Sequence, residues 1–180
     1  MRKEIEVKAK IGNLEEITKK LIALGCILSG PVTQNDKTFV NANYGEYDKF
    51  QRGKNILRIR ESNGKFLFTV KQPQSNELDA IEYETEISSS EEFEKALILM
   101  EYKPIVEIQK IRRKAKFNDF EICLDEVKGL GSFIEVEKIT EDDDANRVQD
   151  ELFGFLKNIG VDEKDRVLQG YDTLIYLKQK

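Results

Sequence analysis

Residues 4–11 read Glu-Ile-Glu-Val-Lys-Ala-Lys-Ile, an unbroken alternation of charged and apolar side chains. Because successive side chains of a β-strand point to opposite faces, this segment predicts a strand with one ionic face and one apolar face. Glu4, Glu6, Lys8 and Lys10 share the ionic face. A single strand of this kind is typical of a solvated surface, so its meaning depends on whether ionic faces recur along the chain.

The alternation does recur, in at least five later segments. Their charged members are Arg58 and Arg60; Glu82, Glu84 and Glu86; Lys110, Arg112, Lys114 and Lys116; Glu121 and Asp125; Glu135 and Glu137. The opposite faces are apolar and could be covered by amphipathic helices. Two arrangements fit: an open sheet with a solvated ionic face, or a closed sheet whose ionic faces line a lumen. Eight antiparallel strands are enough to close around a small ligand.

Eight strands and four helices are predicted in all. Besides 4–11, the strands cover 33–40, 55–61, 65–71, 80–88, 105–117, 119–127 and 132–139. Capping patterns at Asn13 and Ser89 open two amphipathic helices, a third begins at the acidic run 142–144 and ends at Gly160, and a last short one covers 171–177. Residues 41–54, rich in Asn, Gly and Lys, predict a mobile loop.

Composition restricts the function. The 180 residues fit one domain, 1–180, with 39% apolar and 35% charged side chains. Histidine is absent, which removes histidine bases and ordinary zinc sites. The net charge of −5 argues against nucleic-acid binding. Without a long apolar run or a signal-like start, we expect no membrane contact and a cytoplasmic location, with Cys26 and Cys123 as reduced core thiols.

The charges on these faces are segregated by sign. Carboxylates dominate at Glu4, Glu6, Glu82, Glu84, Asp125, Glu135 and Glu137. All-oxygen ligand sets of this kind suit Mg²⁺ or Mn²⁺. Basic groups dominate at Lys8, Arg58, Arg60, Lys71, Lys110 and Arg112. Guanidinium and ammonium groups bind phosphate oxygens, so hard cations together with basic side chains indicate a polyphosphate ligand.

The ordered series of motifs resembles the CYTH superfamily, the triphosphate tunnel metalloenzymes, over nearly the whole chain. The motifs are Glu4-x-Glu6-x-Lys8, Leu57-Arg58-Ile59-Arg60, Lys71 before Pro73, Lys110-x-Arg112, Asp125 and Glu135-x-Glu137. The segments 102–113 and 124–137 look most like class IV adenylate cyclases. The resemblance implies an α+β fold, in which an eight-stranded antiparallel β-barrel forms a triphosphate tunnel and amphipathic helices pack outside it. It also favours a homodimer.

Residue roles follow from the same resemblance. It implies two Mg²⁺ or Mn²⁺ ions, the first on Glu4, Glu6 and Glu137 and the second on Asp125, Glu135 and Glu84. It assigns the triphosphate to Lys8, Arg58, Arg60, Lys71, Lys110, Arg112 and Asp36. The catalytic set is Lys8, Lys71, Arg112 and Asp125.

The chain also departs from the family pattern. Ala80 and Ile81 stand where an arginine is common, Thr38 replaces an aromatic residue, and Gly170-Tyr171 replaces Ser-Tyr. Tyr171 is interpreted as a helix packing residue. Glu82 and Glu84 could instead pair with basic groups and bind no metal.

Three functions remain open at this point. The leading hypothesis is conversion of ATP to cyclic AMP and pyrophosphate. The second is hydrolysis of inorganic, thiamine or nucleoside triphosphate, and the third is a sensor that binds a polyphosphate or nucleotide without turnover. The motifs do not separate these hypotheses, and the general base, the nucleobase and the roles of Glu82, Glu86 and Tyr171 are left open.

Overall fold

The structure, a computed structural model, describes residues 3–47, 50–142 and 144–180. The strands in this part of the chain are β1 (Lys3–Lys10), β2 (Val32–Asn41), β3 (Ile56–Ser62), β4 (Lys65–Pro73), β5 (Asp79–Ile87), β6 (Tyr102–Phe117), β7 (Phe120–Val127), β8 (Gly131–Thr140) and β9 (Arg166–Val167). The α-helices are α1 (Leu14–Ala23), α2 (Ser90–Leu99), α3 (Ala145–Asn158) and α4 (Tyr171–Gln179). Two 3-10 turns cover Ala42–Tyr44 and Glu163–Asp165.

Strands β1 to β8 form a closed antiparallel barrel. The hydrogen-bonded order is β5, β4, β3, β2, β6, β7, β8, β1. The circle closes where β1 pairs with β5, through Glu4 opposite Ala80 and Ile5 opposite Asp79. The predicted eight-stranded barrel is therefore confirmed.

The boundaries differ from the predictions in four places. The short β9 was not predicted, and it pairs with β1 beyond the seam with β5. Strand β6 begins at Tyr102 rather than near 105, and β4 continues through Pro73, whose partner is Ala80. The predicted loop 41–54 contains a 3-10 turn. Two of its residues, 48 and 49, lie outside the described part, as does 143 of the predicted acidic helix start.

Side-chain caps begin the helices where the sequence patterns predicted. The Asn13 side chain accepts a hydrogen bond from the Glu16 amide, and the Ser89 side chain accepts one from the Glu92 amide. These contacts satisfy amide groups that a helix leaves unpaired in its first turn. Gly25, just past the end of α1, has φ +86°, a left-handed conformation that glycine adopts without strain.

The apolar outer face of the barrel forms the core against the helices. Ile5 and Val7 of β1 pack with Leu21 of α1 and Leu152 of α3 in one cluster. Leu97 of α2 covers the other side of the barrel in a second cluster. Burial of this face leaves the ionic face of each strand directed into the barrel.

Two further expectations concern the cysteines and the helices. Both cysteines are free and buried, as predicted. In the described ranges, no helix is long and apolar enough to cross a membrane.

Candidate functional site

The ionic faces of the strands line one cavity of about 470 Å³ inside the barrel. Twelve of the thirteen predicted site residues lie in its wall: Glu4, Glu6, Lys8, Asp36, Arg58, Arg60, Lys71, Glu84, Lys110, Arg112, Glu135 and Glu137. Asp125 is the exception. It is fully buried beneath wall residues that it contacts, Arg112 and Tyr171.

Strand register places acids beside bases. Lys8 lies directly opposite Glu135, and Arg112 lies opposite Asp125. Directly opposed residues of antiparallel strands share a face of the sheet, so each pair projects to the same side of the barrel wall. The alternation in the sequence thus becomes a set of ion pairs in the lumen.

Three carboxylates form a cluster in the cavity wall. One carboxylate oxygen from each of Glu4, Glu6 and Glu137 lies within 4.8 Å of the others. Burial and the nearby Glu82 raise the pKa of Glu4 to about 7, although Lys71 opposes this. Burial and Glu4 also raise the pKa of Glu137 well above its usual value. A divalent cation would relieve this repulsion, and an all-oxygen trio is a ligand set that Mg²⁺ or Mn²⁺ accepts.

Arg112 draws two further carboxylates together. Its Nε donates to Asp125 Oδ1 at 2.7 Å and its Nη2 donates to Asp125 Oδ2 at 2.5 Å. The same Nη2 also donates to Glu135. Burial opposes a charged guanidinium, but Glu135 and the other acids raise the pKa of Arg112 well above its usual value.

Two lysines lie on the same side of the cavity, and their environments differ. Lys8 contacts Glu135 at 3.1 Å and Glu6 at 3.6 Å. Burial lowers the pKa of Lys8, but these acids outweigh burial and raise it. Lys110 is equally buried, and its nearest carboxylate oxygen, on Asp125, is 3.8 Å away. Burial and Arg112 together lower the pKa of Lys110 to about 8.

Tyr171, at the start of α4, closes this part of the cavity. Its hydroxyl donates to Asp125 Oδ2 at 3.0 Å. Lys8 Nζ lies 4.2 Å from the ring centroid and Lys110 Nζ lies 5.0 Å from it. The ring also packs against Phe133, with centroids 5.2 Å apart. Tyr171 therefore packs in the core and also lines the candidate site.

Buried and half-buried ion pairs line the opposite wall. Arg60 binds Asp36 through two hydrogen bonds of 2.6 and 2.7 Å. Burial opposes ionisation of Asp36, but Arg60 outweighs it and holds the pKa below the usual range. Lys71 pairs with Glu82 at 2.9 Å. Arg60 and Lys71 are thus each held by an acid of a neighbouring strand.

One end of the cavity is bounded by the start of α4 and the chain around it. Glu77, in the connection before β5, accepts hydrogen bonds from the Gly170 amide and the Thr173 hydroxyl. Tyr47 donates to Asp172 at 2.5 Å. These contacts attach α4 to the barrel, which explains how Tyr171 reaches the lumen.

The structure brings together the ligands of the first predicted metal site but not those of the second. The first set, Glu4, Glu6 and Glu137, is one cluster. The second set is divided, because Asp125 and Glu135 converge on Arg112 whereas Glu84 bonds to Thr69. Within the described residues no cluster of three ligands unites that second set. The second ion stays a prediction.

Three residues of the cavity wall were not assigned a functional role from the sequence. Glu82 was left open, and its contact with Lys71 matches the alternative of pairing with a base. Thr69 shares the strand parity of Lys71, which was the available signal. The sequence predicted only a packing role for Tyr171. The helical pattern of α4 does not show which of its side chains reaches the cavity.

The arrangement is suited to holding a highly charged anion. Seven basic groups, the six predicted ones and Lys114, face the cavity together with the carboxylate trio, and charges there interact more strongly than in water. Because the bases already have acid partners, an anion would exchange those partners rather than meet free charges. A cation at the trio would add the positive charge that such an exchange needs.

Comparison with known proteins gives a consistent result. The CYTH domain matches residues 2–171. A protein of Methanocaldococcus jannaschii whose name assigns it provisionally as an adenylate cyclase is 28% identical over 173 residues, covering 93% of this chain and 95% of that protein.

Solved structures share the fold. A Pyrococcus horikoshii protein superposes with a TM-score of 0.80 at 25% identity, covering 95% of this chain and 98% of its own. A protein of Hippeastrum, described as an adenylyl cyclase candidate with a dominant triphosphatase activity, superposes with a TM-score of 0.64 at 19% identity. That match covers 100% of this chain and 97% of the other.

Proposed function

This chain belongs to the CYTH domain family, and from that premise we propose that it is a metal-dependent enzyme that converts ATP to cyclic AMP and pyrophosphate inside the barrel. Members of this family are enzymes that bind triphosphates and use divalent metals. The observation that carries the proposal is that one cavity contains both the carboxylate trio and seven basic groups. The name of the Methanocaldococcus relative supports the cyclase reaction over others.

The trio of Glu4, Glu6 and Glu137 would hold Mg²⁺ or Mn²⁺. Bound there, the ion would neutralise phosphate charge and lower the pKa of a coordinated hydroxyl. A second ion on Asp125, Glu135 and Glu84 belongs to the same proposal. It requires Arg112 to release Asp125 and Glu135.

The basic side chains would bind the triphosphate. The six to which we assign this role all lie in the wall: Lys8, Arg58, Arg60, Lys71, Lys110 and Arg112. Acids of neighbouring strands hold several of them in the wall, and a bound triphosphate would exchange those acid partners for phosphate oxygens. Preorganised positive groups of this kind supply most of the catalysis in phosphoryl transfer.

In the cyclase reaction, the ribose 3′-oxygen forms a bond to the α-phosphorus. The bond from that phosphorus to the bridging oxygen of the β-phosphate breaks, and pyrophosphate leaves with the electron pair. The 3′-hydroxyl proton passes to a base of the site. Without histidine, a base supplied by the chain is a carboxylate or a lysine.

Hydrolysis of a triphosphate is the second candidate. The observation that favours it is the dominant triphosphatase activity described for the Hippeastrum protein, whose fold this chain shares. In that reaction water attacks the terminal phosphorus and orthophosphate is released. The same wall could serve both reactions, so the products decide between them.

The test incubates the purified protein with ATP and either Mg²⁺ or Mn²⁺ and separates the products. We expect equal amounts of cyclic AMP and pyrophosphate, lost in Glu4→Gln and Glu137→Gln. Glu15→Gln, an exposed change on α1, is the matched control and should keep full activity. Orthophosphate without cyclic AMP would establish the triphosphatase instead. Metal-dependent ATP binding with no product would establish a sensor.

A further inference from the structure

We propose that Thr69 is a positioning residue that sets the orientation of Arg58 for triphosphate binding. The inference rests on the proposed function, because it assumes that the cavity binds a triphosphate. Thr69 lies on β4 between Arg58 of β3 and Glu84 of β5, directly opposite both in the strand register. It is 1% exposed and lies in the cavity wall.

The hydroxyl of Thr69 bridges an acid and a base. Arg58 Nη2 donates to Thr69 Oγ1 at 3.0 Å, and Thr69 Oγ1 donates to Glu84 Oε2 at 3.0 Å. A guanidinium can only donate and an ionised carboxylate can only accept, so the single hydroxyl proton has one possible direction. The Thr69 hydroxyl therefore accepts one hydrogen bond and donates the other.

The direct contact between the two charged groups is weaker than the bridge. Arg58 Nη2 lies 3.5 Å from Glu84 Oε2, and the Glu84 side chain is 45% exposed. An exposed ion pair at that separation adds little by itself. The Thr69 hydroxyl is thus the hydrogen-bond acceptor that orients the guanidinium of Arg58, whereas Asp36, Glu82 and Glu84 attract it as nearby charges.

The orientation leaves one donor of Arg58 without a partner. Among the described residues, Arg58 Nε is buried and has no hydrogen-bond acceptor. A buried donor without a partner costs free energy that a bound acceptor would recover. With Nη2 held by Thr69, the guanidinium keeps one orientation in the cavity wall, and a phosphate oxygen in the cavity can accept from it.

A purely structural role for Thr69 predicts something different. If the hydroxyl only stabilised the barrel, its removal would lower stability and leave the affinity of folded protein unchanged. If it positions Arg58, its removal weakens triphosphate binding only while Arg58 is present. A double-mutant cycle separates the two roles.

The experiment measures binding of α,β-methylene-ATP with Mg²⁺ by calorimetry. Thr69→Val removes the hydroxyl and keeps the shape, Thr69→Ser keeps the hydroxyl, and Thr85→Val is the control on the exposed outer face of β5. We expect Thr69→Val to weaken binding about tenfold, as for a lost hydrogen bond to a charged group, and the other two to stay within about twofold. In an Arg58→Gln background, Thr69→Val should have no further effect.

Thr69→Ala replaces Thr69→Val if the valine variant does not fold, as judged by urea unfolding. Unchanged affinity in the folded hydroxyl-free variant would overturn the inference, as would an equal loss in the Arg58→Gln background. If the wild-type protein binds no triphosphate with metal present, the proposed function fails instead. The two failures are thereby distinguished.

Discussion

Glu4→Gln should stabilise the metal-free protein at pH 8 while impairing metal binding. The pKa of Glu4 is raised from 4.5 to about 7 by burial and by Glu82 and Glu6, against the attraction of Lys71 and Arg58. Since one pKa unit corresponds to about 1.4 kcal/mol, ionising this carboxyl in the folded protein costs about 3 kcal/mol. A neutral amide of the same shape avoids that cost.

The sign of the pH dependence follows from the same shift. The folded protein binds the Glu4 proton more tightly than the unfolded chain does, so its stability in the absence of metal falls as the pH rises from about 4.5 to 7. The pKa of about 7 already includes the attraction to Lys71 and Arg58, so about 3 kcal/mol is the upper limit of the gain from the amide. We therefore expect the free energy of unfolding of Glu4→Gln to exceed that of the wild type by about 1 to 3 kcal/mol at pH 8, and by less at pH 6.

Urea unfolding in EDTA at pH 6 and pH 8 measures the effect, with Glu15→Gln as the exposed control. Calorimetry with Mg²⁺ or Mn²⁺ measures metal binding. The affinity of the wild type for the metal should rise as the pH increases towards 7, because the ion displaces a proton. Glu4→Gln should bind metal more weakly and with less pH dependence. A variant less stable than the wild type at pH 8 in EDTA, or wild-type affinity that does not change with pH, would refute the reasoning.

Three other substitutions test separate parts of the structure. Asp36→Asn leaves Arg60 charged without its buried carboxylate and should cost about 3–5 kcal/mol in urea unfolding; a loss below 1 kcal/mol would contradict the buried pair. Leu152→Ala, in the α3 core, should cost about 2–5 kcal/mol and leave the metal affinity of folded protein unchanged in calorimetry. Tyr171→Phe removes the donor to Asp125 and should cost about 1–3 kcal/mol in thermal unfolding, whereas an unchanged midpoint would show that this hydrogen bond adds no net stability.

The ionic faces of the strands could be predicted because their information is local. Period-two alternation tells which side chains share a face, but it fits an open sheet as well as a closed one, and the resemblance to the CYTH superfamily was needed to favour the barrel. The same parity placed nearly all the expected residues in one wall. The two-residue β9 could not be found this way, because Arg166 and Val167 are too few to show a period.

The pairing of charges was harder to predict than their location. The contact of Arg112 with Asp125 follows from the register of the β6–β7 hairpin. The position of the hairpin turn in the sequence is enough to predict that register. The contact of Tyr171 with the same carboxylate depends on how α4 docks, through contacts such as Glu77 with Gly170. Long-range docking of this kind leaves no local pattern in the chain.

Closure of the barrel by its first strand has a consequence during protein synthesis. Val7 of β1 pairs with Val136 of β8, so β1 leaves the ribosome long before β8 is synthesised. Its other barrel neighbour, β5, pairs with β1 through only two residue pairs. A nascent strand with unpaired edges is prone to aggregate, and alternating charges discourage such pairing. Residues 4–10 would thus keep the unfinished chain soluble before they serve any ligand.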